Sequence, residues 1–108
     1  RASYAEAWNF GPAESGERSV LWIVEKLQGF WGEKTKWKKD HGINPHEANY
    51  LKLDCSKARS RLAWKPKLDL ETALRWVAEW YKACQEGQEM RQVTVQQIKK
   101  FMQIKACE

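Results

Sequence analysis

Residues 44–66, N-P-H-E-A-N-Y-L-K-L-D-C-S-K-A-R-S-R-L-A-W-K-P, decide the predicted fold because several local signals follow one another within them. Pro45 disfavours helix in the residue before it and has no amide hydrogen for a strand ladder, so we expect an extended approach. A short strand is predicted at residues 47–53, where apolar and charged side chains mix. Asp54 is a typical N-cap for a helix at residues 55–62, which the following Trp-x-Pro sequence ends.

Amphipathic helices are predicted on both sides of this stretch. Apolar residues recur at three- and four-residue intervals over residues 19–31, which indicates a helix with one buried stripe. The same period predicts a longer helix over residues 70–86, with Asp69 as its N-cap and Gly87 at its end. Its buried face is expected to contain Leu70, Ala73, Leu74, Val77, Trp80, Tyr81 and Cys84.

A last helix is predicted at residues 95–104. Thr94 and Gln97 match the capping-box pattern, and Val93 and Ile98 stand at the positions of a hydrophobic staple. The residues expected to face inward are Val95, Ile98, Phe101 and Met102.

Short strands complete the predicted architecture. One is expected at residues 5–10, before a Gly-Pro turn, and residues 33–41 are a candidate edge strand whose lysines would deter unwanted pairing. With the strand at residues 47–53, the predicted fold class is α+β, dominated by helices.

The composition limits the classes of function. At 108 residues the chain is one domain or part of one, and its net charge of +5 comes from 19 basic residues interleaved with 14 acidic ones. This pattern does not favour nucleic acid as a partner. The three cysteines lack the C-x-x-C spacing of zinc or redox sites, so free thiols in a reducing compartment are expected.

No signal peptide and no apolar run of the roughly 20 residues needed to cross a bilayer is present in the sequence. We therefore expect a cytoplasmic chain with no membrane partner. Because Arg1 stands where a native chain normally has Met, we also expect a cut sequence.

Two candidate sites have simple structural alternatives. The lysine-rich run around Trp37 has residue types that bind single-stranded nucleic acid, but a single aromatic gives no series of stacking sites, and a solvated edge strand is favoured. His41 and His46 lie near carboxylates, yet no metal-ligand spacing joins them, so a polar loop is favoured and no metal is predicted.

Glu47 is a sharper candidate, because a carboxylate fixed where a turn enters a strand can accept hydrogen bonds from the vicinal hydroxyls of a ligand. A carboxylate that merely faces water is the alternative, and the residues alone leave both open. The sequence contains no glycine-rich dinucleotide fingerprint, no Walker loop, no Tyr-x-x-x-Lys pair and no nucleophile beside a base. We therefore predict no catalytic and no cofactor-binding residue in this chain.

Six motifs together resemble a known family. They closely resemble the C-terminal part of the CDP-glucose 4,6-dehydratases, a branch of the extended short-chain dehydrogenase/reductases, across essentially the whole chain. The motifs are A-E-A-W-N-F-G-P (5–12), P-H-E-A (45–48), Y-L-K-L-D-C-S-K-A (50–58), L-A-W-K-P (62–66), E-W-Y-K-A (79–83) and M-R-Q-V-T-V-Q-Q-I (90–98).

The resemblance implies a fold and an activity. Members of this family have an NAD-binding Rossmann domain and a smaller C-terminal domain over the sugar nucleotide; residues 1–108 would be a fragment of the smaller domain. The family oxidises the sugar at C4 with bound NAD, eliminates water across C5 and C6 and returns the hydride to C6, giving CDP-4-keto-6-deoxyglucose for deoxysugar and O-antigen biosynthesis. The catalytic residues would lie in the missing Rossmann part, so the chain should be inactive alone and bind no NAD.

The resemblance also implies the substrate-binding residues. Asn44, His46 and Glu47 occupy the place of an Arg-Pro-x-Glu or Arg-Pro-x-His-like turn that contacts the ribose and diphosphate, although Asn44 lacks the charge of the arginine. Ser56, Lys57 and Trp64 would be structural. The implied partners are a CDP-sugar, the N-terminal Rossmann domain and further copies of the enzyme.

The rival hypothesis is a free-standing, basic and aromatic-rich interaction or nucleic-acid-binding module. The coding sequence upstream of Arg1 would distinguish the two, because only the dehydratase requires a Rossmann half there.

Overall fold

The computed structural model describes residues 2–13, 18–32, 36–38 and 53–105. Within these ranges, a 3₁₀ turn at Ala2–Tyr4 is followed by the helices α1 (Val20–Trp31), α2 (Ser56–Leu62), α3 (Leu70–Gln85) and α4 (Met90–Met102). The longest helix, α3, is central and packs against both α1 and α4. Helices α1, α3 and α4 therefore form one packed group with α3 at its centre.

The predicted helices at residues 19–31, 55–62 and 70–86 are confirmed to within one residue. Helix α1 begins where the Ser19 hydroxyl accepts a hydrogen bond from the amide of Trp22 at 3.2 Å. Asp69 caps α3 by accepting from the amide of Thr72 at 2.7 Å, and this hydrogen bond lowers the pKa of Asp69. Both side chains satisfy amides that the first helical turn leaves without an intrahelical partner.

Gly87 ends α3 as the sequence predicts. Its φ of +77° lies in the left-handed region, where a Cβ is unfavourable. The amide of Gly87 donates to the carbonyl of Cys84 at 3.1 Å, and the amide of Gln88 donates to the carbonyl of Ala83 at 3.1 Å. This is the Schellman arrangement, which turns the chain towards α4.

The predicted start of the last helix is wrong. Helix α4 begins at Met90, because the Glu89 carboxylate caps it by accepting from the amides of Arg91 and Gln92 at 3.1 and 3.0 Å. Thr94 lies inside the helix, and its hydroxyl accepts from the indole N–H of Trp80 at 2.9 Å. The capping-box residues thus serve a contact between helices, since Gln97 also donates to the carbonyl of Trp76 at 3.0 Å.

The α+β prediction is confirmed in its helical part only, because none of the described residues forms a strand. The predicted strand at residues 5–10 is wrong: these residues are not in a strand, and the segment contacts side chains of α2. A strand needs a neighbouring backbone with which to exchange hydrogen bonds. The other two strand predictions fall mostly outside the described residues; Leu53 and residues 36–38, which are described, are not in a strand.

The core is smaller than the helical periodicity predicts. The buried residues of the described part are Cys55, Ala58, Trp76, Ala78 and Ala83. Val77, Tyr81 and Cys84, which were expected on the buried face of α3, are exposed. Along α4, the four residues expected to face inward are exposed as well, namely Val95, Ile98, Phe101 and Met102. Apolar stripes are present on both helices, but the described helices do not cover them.

Candidate functional site

The sequence-predicted binding residues Asn44, His46 and Glu47 lie outside the described residues. The next described residue after them is Leu53, which lies in the same stretch of motifs. The residues from Leu53 to Trp64 therefore show how the chain is held just after the predicted site.

Two segments that are distant in sequence meet here. The side-chain amide of Asn9 donates to the carbonyl of Asp54 at 3.5 Å, and the rings of Phe10 and Trp64 pack edge to face with centroids 5.1 Å apart. Gly11 comes so close to Leu53 that an added Cβ would lie 3.2 Å from its Cδ1 atom. The W-N-F-G-P motif thus packs directly on the L-D-C-S-K-A and L-A-W-K-P motifs.

A charged cluster formed by Glu6, Lys57, Arg61 and Trp8, hereafter the Glu6 cluster, fastens the same two segments. Arg61 grips the Glu6 carboxylate with both terminal nitrogens, Nη1 to Oε1 at 2.9 Å and Nη2 to Oε2 at 2.7 Å. Lys57 contacts Oε1 at 3.1 Å and donates to the carbonyl of Ala7 at 2.9 Å. Lys57 Nζ and Arg61 Cζ also lie 4.6 and 5.0 Å from the ring centroid of Trp8.

The electrostatics of the Glu6 cluster follow from these contacts. Hydrogen bonds from Arg61, and then from Lys57, lower the pKa of Glu6 from 4.5 to about 2. The same pairing raises the pKa of Arg61 above its usual value. The Glu6 carboxylate is therefore ionised at neutral pH and pairs with both cations. These ion pairs stabilise the contact between the N-terminal segment and α2.

Asp54 and Ser56 organise the start of α2. The Asp54 carboxylate accepts from the amide of Ser56 at 2.9 Å and from its hydroxyl, and these bonds lower the pKa of Asp54. The N-cap position itself is held by Cys55, one residue later than predicted, with no side-chain cap. Ser56 bonds to Asp54, Lys57 donates to the carbonyl of Ala7, and Trp64 packs on Phe10.

Trp37 contacts α1 and lines a groove between two helices. Its indole N–H donates to Oε1 of Gln28 at 2.9 Å. Its ring lines an apolar groove of about 340 Å³ between α1 and α3, where the other apolar walls are Val24, Leu27, Trp31, Val77, Ala78 and Tyr81. The ring is 42% exposed and forms the edge of this groove.

Neither a metal centre nor a membrane span is found among the described residues. No group of three His, Cys, Asp or Glu side chains converges there. None of the described helices has the length and apolar character that crossing a bilayer demands.

Sequence reasoning missed the Glu6 cluster. Two signals were present: Lys57 and Arg61 are four residues apart and therefore share a helix face, and Glu6 is the single carboxylate among residues 1–13. Neither pattern indicates which distant residue meets which, so the pairing required the structure.

The comparison with known proteins agrees with the motifs that meet in this region. No family model matches the chain. The chain is similar to a sugar-nucleotide dehydratase. That relative is CDP-glucose 4,6-dehydratase of Salmonella typhimurium, which is 40% identical over 101 residues, or 94% of this chain. The match spans only 28% of the relative's length. The resemblance expected from the sequence is thereby confirmed.

Proposed function

We propose that the chain is the C-terminal portion of a CDP-glucose 4,6-dehydratase and contributes to binding of the CDP-sugar. The observation that carries this proposal is the 40% identity over 94% of the chain. The packing of the W-N-F-G-P segment on the residues that flank α2 supports it, because motifs that define the resemblance lie in contact with one another.

The binding role is assigned to Asn44, His46 and Glu47. The Glu47 carboxylate would accept hydrogen bonds from the hydroxyls of the nucleotide ribose, and His46 and Asn44 would contact the neighbouring part of the CDP group. Because Asn44 is neutral, the charge of the diphosphate would be met chiefly by groups elsewhere in the enzyme. This chain would therefore contribute orientation and affinity, and no proton transfer.

The parent enzyme would be an NAD-dependent lyase. The described residues of this chain do not fit NAD, since they form no strand and no glycine-rich turn leading into a helix that would receive its diphosphate. The N-terminal Rossmann domain would bind NAD and supply the catalytic residues. The 108 residues alone would be inactive and would bind no cofactor.

The exposed apolar surface of α3 supports a need for that domain. Val77 and Tyr81 are 46% and 57% exposed. They line the groove towards α1, of about 340 Å³, and a second groove towards α4, of about 430 Å³. Contiguous apolar surface of this kind marks an interface. We infer that the Rossmann domain covers this apolar surface in a homo-oligomeric enzyme. A cytoplasmic location would fit the free thiols of Cys55 and Cys84.

The substitution Glu47→Gln in the complete enzyme tests the binding role. It should raise KM for CDP-glucose and leave kcat nearly unchanged, because it removes binding that the ground state and the transition state share. Glu25→Gln, at an exposed position of α1, is the matched control and should change neither constant. A large fall in kcat at saturating substrate with KM unchanged would reject the binding role of Glu47.

A further inference from the structure

A further groove lies where the N-terminal segment, the residues after α2, the start of α3 and the end of α4 meet. Its volume is about 470 Å³, which falls within the roughly 300–1,000 Å³ of small-molecule pockets. Its walls include the aromatic rings of Phe10, Trp64 and Phe101 and the side chains of Lys65 and Lys67; it is hereafter the Lys67 groove. Segments that are distant in sequence thus form one concave surface.

The aromatic walls of the Lys67 groove present ring surface to the outside. Phe10 is 49% exposed and Phe101 is 39% exposed. Phe10 packs edge to face against Trp64, with ring centroids 5.1 Å apart, so the two rings support each other. A planar apolar group can pack on such surface, because ring contacts of this kind add to the gain from burial alone.

The lysines of the groove differ from the cations of the Glu6 cluster, which pair with a carboxylate. Lys67 Nζ lies 4.9 Å from the ring centroid of Phe101. Among the described residues, no carboxylate lies within ion-pair distance of Lys65 or Lys67. None of the described side chains that line the groove is acidic. Positive charge therefore stands beside aromatic surface without a compensating anion.

We propose that the Lys67 groove binds a small planar aromatic carboxylate, whose ring packs on Phe10 and Phe101 and whose anion pairs with Lys67 and Lys65. The bond from an ammonium group to a carboxylate is charge-assisted and stronger than one between neutral groups. The ring and the charge are recognised by different side chains, so a ligand needs both for full affinity. This site goes beyond the proposed function, because none of the residues assigned to the CDP-sugar is among its described walls.

The test is calorimetric titration of the complete enzyme with 2-naphthoate and with its neutral analogue 2-naphthamide. Saturating CDP is present in both titrations, so that a probe in the nucleotide site is displaced. Naphthoate should bind more tightly than naphthamide. Lys67→Gln should raise the Kd of naphthoate by about threefold to tenfold, the effect of losing a partly exposed charged partner, and leave that of naphthamide within about twofold.

Two further variants separate the charge from the ring surface. Phe101→Leu should weaken the binding of both probes, because it removes an aromatic wall. Lys82→Gln removes a lysine of α3 that does not line the groove and should change neither Kd. Should Lys67→Gln fail to fold, Lys65→Gln replaces it, with the same expected direction.

The proposal is overturned if the two probes bind equally, or if the lysine substitution leaves the Kd of naphthoate unchanged. Absence of binding by both probes would show that another part of the enzyme fills the groove, and this also overturns the proposal. The titrations measure binding without turnover. Their outcome is therefore independent of whether the enzyme converts CDP-glucose.

Discussion

At the scale of single residues, the Glu6 carboxylate joins segments that are 55 residues apart in sequence. Its pKa of about 2, against 4.5 without partners, means that the folded state prefers the ionised form. A lowered folded-state pKa contributes stability that is fully present above the unfolded value and is lost as the pH falls towards the folded value. The window for Glu6 is therefore from pH 4.5 down to about 2.

We expect Glu6→Gln to reduce the pH dependence of stability within that window. Thermal unfolding midpoints of the chain, measured from pH 7 downwards, should fall less steeply below pH 4.5 in Glu6→Gln than in the unmodified chain. Some slope should remain because the pKa values of Asp54 and Asp69 are also lowered. Glu25→Gln should retain the full slope, and an unchanged slope in Glu6→Gln would show that the carboxylate is not engaged.

At the scale of secondary-structure elements, the end of α2 contains a residue in an unfavourable backbone conformation. Ala63 has φ of +52° and ψ of +32°, which is the left-handed region. Among the described residues, no other non-glycine residue has a positive φ. In that region the Cβ of an L-residue crowds the following carbonyl. The turn between α2 and Trp64 is therefore formed against a local cost, and the amide of Trp64 closes it by donating to the carbonyl of Ala58 at 3.3 Å.

Replacement of Ala63 by glycine should stabilise the chain by about 1 kcal/mol, because it removes this crowding. Denaturant unfolding would measure the difference. The matched control is Ala58→Gly, inside α2 and fully buried, which should destabilise by about 1 kcal/mol or more. A loss of stability in Ala63→Gly would contradict the left-handed conformation.

The start of α4 gives a second test at this scale. Glu89→Ala should destabilise the chain by about 1 kcal/mol in the same unfolding measurement, because two amides of the first turn lose their acceptor. Glu86→Ala, which removes a nearby carboxylate that caps no amide of α4, should have little effect. If Glu89→Ala were silent, the helix would begin later, as the capping-box pattern suggested.

The same elements show what local sequence can and cannot predict. Ser19, Asp69 and Gly87 cap helix ends through contacts with residues close to them in sequence. The helix ends that they define were therefore predicted to within a residue. Thr94 was misread because its hydroxyl is engaged by Trp80, a contact between helices that no local pattern encodes. Residues 5–10 were misread for a related reason: Lys57 and Arg61 of α2, more than 40 residues away in sequence, bind Ala7 and Glu6.

For the candidate site, the motifs predicted the resemblance correctly, and the comparison confirmed it. The binding assignments of Asn44, His46 and Glu47 remain predictions. The Glu6 cluster was not predicted, because the spacing of Lys57 and Arg61 shows a shared helix face and does not show that both meet Glu6.

At the scale of the whole molecule, large apolar side chains remain exposed on α3 and α4 while the buried set is mostly alanine. Removing such surface from water is worth roughly 25 cal/mol per Å², so a surface of this kind favours association. We expect the isolated chain to self-associate and to bind hydrophobic dyes, as judged by sedimentation and dye fluorescence.

The double substitution Val77→Lys with Tyr81→Lys should reduce both association and dye binding, because these residues line both grooves of α3. Glu25→Lys changes the net charge by the same amount on the outside of α1 and should leave dye binding unchanged. A monodisperse unmodified chain with sharp cooperative unfolding and no dye binding would show that the 108 residues close their own core.

The most direct test of the proposed dehydratase is conversion of CDP-glucose by a protein in which this chain is joined to the proposed N-terminal Rossmann domain, followed by mass spectrometry of the nucleotide sugar. The joined protein should release one water per substrate and give the 4-keto-6-deoxy product, and the 108-residue chain alone should leave CDP-glucose intact. Intact CDP-glucose after incubation with the folded, NAD-loaded joined protein would contradict the proposed function.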